Sequence, residues 1–131
     1  MMEIIPKTLG LDFGTERIGV AISRSSLVEP LVTLSVSPQI FESILELCQK
    51  YQVEQIVVGI SEGLSAKRTH DFTCKLKSLT QLPVLTTDET LSTQEARAKL
   101  KAAGRRIGPG QPVDHYAAAL ILESWLVDQA Y

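Results

Sequence analysis

The chain has 131 residues, 44% of them hydrophobic and 21% charged. That balance belongs to a globular domain with a real core and excludes a disordered or fibrous chain. No apolar run reaches the roughly 18–20 residues of a membrane span, and the opening Met-Met-Glu-Ile-Ile-Pro-Lys lacks the n-region and apolar core of a signal peptide. The formal net charge of −2 argues against a strong non-specific nucleic-acid binder. Arg97, Lys99, Lys101, Arg105 and Arg106 nevertheless form a basic strip with no acid among them. Cys48 and Cys74 fall in predicted helices without metal-ligand spacing, so both are expected to be reduced core thiols of a cytoplasmic protein.

Residues 8–13 form an apolar strand that carries a single acid, Asp12. The turn Gly14-Thr-Glu16 leads to a second strand over 17–23, in which Ile18, Val20 and Ile22 alternate with Gly19, Ala21 and Ser23. Glu29-Pro30 predicts a break, followed by a third strand over 31–36. Three strands with short connections predict an antiparallel meander.

From Ser37-Pro38 the period changes. A helix is expected over 38–51, with Ile40, Phe41, Ile44, Leu45, Cys48 and Tyr51 at helical spacing. The run Gln55-Ile-Val-Val-Gly-Ile60 suits a buried parallel strand. A helix over 65–79 should turn Phe72, Leu76 and Leu79 inward, and 83–87 forms a fifth strand. Ser92-Thr-Gln-Glu95 fits a capping box for a helix ending at Gly104. A glycine- and proline-bearing loop over 105–112 leads to the last helix, over 113–127. The expected architecture is a single α/β domain over 1–131: a five-stranded mixed sheet of order 3-2-1-4-5 with helices on both faces.

In such sheets the working residues gather at the carboxyl ends of the parallel strands. Asp12 ends the first strand, Ser61-Glu62 the fourth and Asp88-Glu89 the fifth; Asp114 opens the last helix, on one face with Ala117, Ala118, Ile121 and Trp125. Carboxylates clustered on apolar strands repel one another unless a cation neutralises them. An all-oxygen set selects Mg²⁺ or Mn²⁺, and a pair of such ions serves phosphodiester cleavage. A metal-dependent nuclease is therefore expected.

Leu-Asp-Phe-Gly-Thr-Glu-Arg-Ile-Gly-Val-Ala, Ile-Val-Val-Gly, Leu-Pro-Val…Asp-Glu-Thr-Leu-Ser-Thr and Val-Asp-His-Tyr-Ala-Ala-Ala-Leu-Ile-Leu occur in this order between residues 8 and 127. In these motifs the chain resembles the YqgF/RuvX family of ribonuclease H-like proteins, described as Holliday junction resolvases and as nucleases that mature the 5′ end of pre-16S rRNA. The resemblance implies a ribonuclease H-like fold, with Asp12, Glu89 (beside Asp88) and Asp114 as catalytic acids and metal ligands. The family's Asp-Glu-Arg is here Asp-Glu-Thr90, which removes a basic side chain beside the acids.

Arg17, Lys67, Arg68, Arg97, Arg105 and Arg106 are the candidate phosphate-binding residues. The expected partner is structured RNA, pre-16S rRNA first, with branched DNA as the alternative and no membrane. The chain is expected to be a monomer or a weak homodimer. A non-catalytic RNA-binding module on the same fold is the competing reading. An actin-like kinase needs two such domains around its nucleotide, and 131 residues leave no room for them. Each acid also has a plain structural alternative: Asp12 as a turn cap, Asp88 and Glu89 as loop polarity, Asp114 as a favourable charge at a helix start. Glu62, His70 and His115 are expected in ordinary surface or structural roles. Gly59 and Gly63 would suit a phosphate cradle.

Overall fold

The computed structural model describes residues 6–25, 27–60, 65–87 and 114–130. The five strands are β1 (Thr8–Phe13), β2 (Arg17–Arg24), β3 (Leu27–Ser35), β4 (Gln55–Ile60) and β5 (Val84–Thr87). The helices are α1 (Ile40–Tyr51), α2 (Ala66–Thr80) and α3 (Asp114–Ala130). The strands form one sheet of order β3-β2-β1-β4-β5, as the alternation predicts. β1, β2 and β3 pair antiparallel, while β1, β4 and β5 run parallel.

Strand alternation divides the sheet into two faces. Leu9, Leu11 and Phe13 of β1 share one face with their register partners Ile22, Val20 and Ile18 of β2, and with Ile56 and Val58 of β4. These side chains are buried together with Ile40, Ile44 and Cys48 of α1 and Phe72 and Leu76 of α2, forming the larger core. Phe13 stacks on Phe72 with ring centroids 4.2 Å apart, anchoring the end of β1 that carries Asp12. The opposite face is lined by small residues and covered by α3. There Ala21 and Val57 pack against Ala118, Ala119 and Leu122 in a second cluster.

The helix ends follow local chemistry. Ser65 caps α2 by accepting a hydrogen bond from the Arg68 backbone N–H at 3.1 Å. Gln52 and Gln81 close α1 and α2 in the left-handed conformation. The helix predicted from Pro38 begins at Ile40: Ser37 Oγ accepts from the Gln39 N–H at 3.3 Å, and the residue before α1 makes no side-chain cap.

Three expectations are corrected. β3 begins at Leu27, and Pro30 lies within it rather than ending the preceding loop. Val20 pairs with Val32 but Ala21 pairs with Pro30, so Leu31 is the extra residue of a bulge. A bulge in an edge strand is where a sheet tolerates a residue without an N–H. Leu79 is 45% exposed, because the buried stripe of α2 (Thr69, Phe72, Leu76) ends one turn earlier. Cys74 is exposed, whereas Cys48 is a core thiol. Cys74 precedes Leu76 by two residues, which turns it about 200° away from the buried stripe.

Among the described residues, no helix is long and apolar enough to cross a membrane. The predicted helix from Ser92 and the loop 105–112 lie outside the described residues.

Candidate metal and nucleic-acid site

The register places one row of residues across all five strands. Thr33 of β3 pairs with Gly19 of β2, Gly19 with Asp12 of β1, Asp12 with Gly59 of β4, and Gly59 with Thr87 of β5. All five lie on the face covered by α3. Asp12 is therefore the one acid in a row of glycines and threonines. It is only 8% exposed, and a carboxylate so placed must have partners that favour its charge.

Asp114 is brought to the same row by backbone packing. A β-carbon built on Gly19 would overlap the Asp114 carbonyl group and crowd the His115 nitrogen. The first turn of α3 thus rests on the strand position directly opposite Asp12. Gly59, on the other side of Asp12, receives Ile121, whose side-chain carbons would lie 3.0 Å from an added β-carbon. Gly59 thus makes room for α3; Gly63, its partner in the expected phosphate cradle, lies outside the described residues. Ala117 and Ala118 are buried, so small side chains let the helix lie close to the sheet as their pattern predicts.

Two contacts hold the start of α3. Arg17 Nε lies 3.3 Å from Asp114 Oδ2, with the arginine side chain 52% exposed and the aspartate 17%. Oδ2 is buried and accepts no hydrogen bond from the described residues, so the pairing is one of charge without hydrogen-bond alignment. Thr33 Oγ1 and His115 Nδ1 stand 3.0 Å apart, joining the helix to the edge strand. Burial lowers the His115 pKa, and the Asp114 charge opposes that shift. The His115 ring also lies against Tyr116, centroids 4.2 Å apart.

The remaining candidates divide. Lys67 and Arg68 lie exposed in the first turn of α2, which packs on the other face of the sheet. His70 is exposed on α2, its Nε2 3.4 Å from Cys74 Sγ. Glu62, Gly63, Asp88, Glu89, Arg97, Arg105 and Arg106 lie outside the described residues; Asp88 and Glu89 follow Thr87 directly in the chain. Among the described residues no three His, Cys, Asp or Glu side chains gather into a metal-binding group. The two acids whose backbones the row brings near each other, Asp12 and Asp114, offer only carboxylate oxygens, and Asp114 Oδ2 is buried without a hydrogen bond from the described residues. That chemistry fits a hard divalent cation. The sequence does not predict the Thr33–His115 contact or the seat on Gly19; both depend on strand register, and only the small-residue alternation of β2 hints at the second.

A family model for RuvX, described as Holliday junction resolvase, matches residues 6–128. A relative from Anaeromyxobacter sp. (strain K), named "Putative pre-16S rRNA nuclease", is 36% identical over 132 residues, covering 92% of this chain and 96% of its own length. One of the same name from Desulfitobacterium hafniense (strain DSM 10664 / DCB-2) is 36% identical over 129 residues, covering 92% and 91%. Among solved structures, Thermus thermophilus RuvC aligns with a TM-score of 0.59 at 14% identity, covering 95% of this chain and 96% of that one. The expected ribonuclease H-like fold is thereby borne out.

Proposed function

The chain belongs to the RuvX family, and from that premise we propose that it is a metal-dependent endonuclease acting in 5′-end maturation of pre-16S rRNA in the cytoplasm. The observation that carries the reading is the seating of Asp114 on Gly19, directly opposite Asp12. Two acids 102 positions apart in the chain are thereby carried on neighbouring backbone positions at the carboxyl end of β1, which supports their sharing one site. The curated relatives named for pre-16S rRNA support the substrate class.

Asp12 and Asp114 would hold the cation, with Glu89 as the third ligand and Asp88 orienting it. The chemistry that Mg²⁺ or Mn²⁺ supplies when bound, two ions in the full reading, is activation of a water and stabilisation of the leaving oxygen. The protein's own part is positional. β1 is paired on both sides, so the Asp12 carboxylate is held by the sheet's register. The core beneath it excludes water from that face and keeps the local dielectric low, which strengthens every charge interaction at the edge. Arg17, Lys67, Arg68, Arg97, Arg105 and Arg106 would bind phosphates, arginine in the paired geometry that suits them.

The test is cleavage of a pre-16S 5′ leader with and without Mg²⁺. Wild type should cut only with metal, and Asp12→Asn should lose about a hundredfold or more in rate. Wild type that leaves the leader intact, or Asp12→Asn that cuts as fast, sinks the proposal.

A second reading is favoured by the description of the matching family model, Holliday junction resolvase. It predicts cutting of a four-way DNA junction. Symmetric cutting of two strands requires a dimer, whereas the rRNA reading is satisfied by a monomer or weak homodimer.

A further inference from the structure

Arg17 and Asp114 form an ion pair in which only one partner is free to move away. The Arg17 backbone is fixed at the start of β2: its carbonyl accepts from the Gly14 N–H at 3.0 Å, and it pairs with Ser35 across the ladder. The Asp114 backbone is fixed against Gly19. What remains mobile is the arginine side chain, half exposed, set 3.3 Å from a buried oxygen that accepts no hydrogen bond from the described residues. A hydrogen-bonded fork would lock such a pair; this contact is charge alone.

Resting on the reading of Asp114 as a metal-binding carboxylate, we infer that Arg17 is an exchangeable counter-ion. It competes with the divalent cation for Asp114 Oδ2, and it passes to a substrate phosphate when the cation binds. At equal distance a divalent cation attracts a carboxylate about twice as strongly as a guanidinium, and it takes hard oxygen donors at shorter range. The cation therefore wins, but against a competitor that lowers its apparent affinity. The displaced guanidinium stays tethered beside the site, charged, and suited to phosphate. By linkage, a phosphate that draws Arg17 away from Asp114 must tighten metal binding by the same factor that metal tightens the phosphate. Metal and nucleic acid then load cooperatively, and the empty site keeps its acid neutralised.

The experiment is calorimetric titration of the metal-free full chain with Mn²⁺, without nucleic acid. Arg17→Gln should bind Mn²⁺ about five- to tenfold more tightly than wild type, in the range of ordinary coupling. Arg24→Gln removes an equal charge from the other end of β2 and should bind as wild type does. Asp114→Asn and, as an independent check, Asp12→Asn should bind weakly. Unchanged or weaker affinity in Arg17→Gln, with binding lost in the aspartate variants, overturns the competition and leaves the metal site standing. An equal gain in Arg24→Gln overturns it as a general charge effect. Wild-type affinity in both aspartate variants removes the metal site, and the competition with it.

Discussion

Gly19 and Asp114 are joined backbone to backbone: the helix that carries the aspartate rests on the β2 position beside Asp12, which has no side chain. Within a strand, glycine to alanine ordinarily costs nothing and even stabilises, so the sign of this substitution is diagnostic. Gly19→Ala should destabilise the fold by about 1–3 kcal/mol, the usual cost of overpacking. It should also depress nuclease activity more than any stability loss explains, by pushing Asp114 out of line with Asp12. Thermal unfolding and a cleavage assay below the melting range check both; a stable, active Gly19→Ala variant contradicts the seating.

The Thr33–His115 contact fixes the same helix from the edge strand. Thr33→Val keeps the shape and removes the hydroxyl, and should cost about 1 kcal/mol. Because Asp114 precedes His115, kcat should fall while KM holds, and Thr33→Ser should restore the stability and kcat. An equal loss in the serine variant would show that packing, not the hydroxyl, matters.

The pH dependence of stability has a defined sign. His115 is held below its ordinary pKa by burial, so as pH falls through about 6.5 the unfolded chain takes up a proton before the folded chain does. Stability is complete above that value and is lost as pH drops toward the folded pKa. In metal-free buffer the urea midpoint of wild type should decline as pH falls below the ordinary histidine value of about 6.5 more steeply than that of His115→Gln. Parallel curves would remove His115 from the account.

The two thiols should behave as different species. Cys74 is exposed beside His70, whereas burial raises the Cys48 pKa from 9.0 to about 11. An aromatic disulfide reagent should modify one thiol quickly in the native chain and the second only on unfolding. Cys74→Ser should abolish the fast phase. Above about pH 9 the unfolded chain releases the Cys48 proton while the folded chain retains it, so stability falls as pH rises toward 11. Cys48→Ala should flatten that decline.

Much of this arrangement is legible without coordinates. Strict alternation of large and small residues gives β2 and, with the apolar run 55–60, the sheet order; helical spacing gives α1 and the face of α3. Asp12 stands out because an acid on an apolar strand needs a reason, and Asp114 because it opens a helix whose small-residue face suits close packing on the sheet. What periodicity does not encode is register. Gly19 looks like one small residue among several in β2 until it is known to lie opposite Asp12 and beneath α3. Thr33 and His115 are 82 positions apart, with nothing local to pair them. Pro30 misleads for a related reason: proline weakens a strand assignment, yet an edge strand accommodates it at a bulge.

The glycines on either side of Asp12 also set a length. From Asp114 to Ile121 is seven residues of helix, about 10 Å of rise; from Gly19 to Gly59 is two strand spacings, again about 10 Å. One rigid rod thus touches both neighbours of the acid at matched intervals, and works as a gauge laid across the sheet. Changing a side chain on its outer surface leaves the gauge intact. Adding or deleting a residue between 114 and 121 rotates the far contact by about 100°, and Gly59 no longer meets Ile121. α3 is therefore expected to tolerate variation in composition while its length over this interval stays fixed.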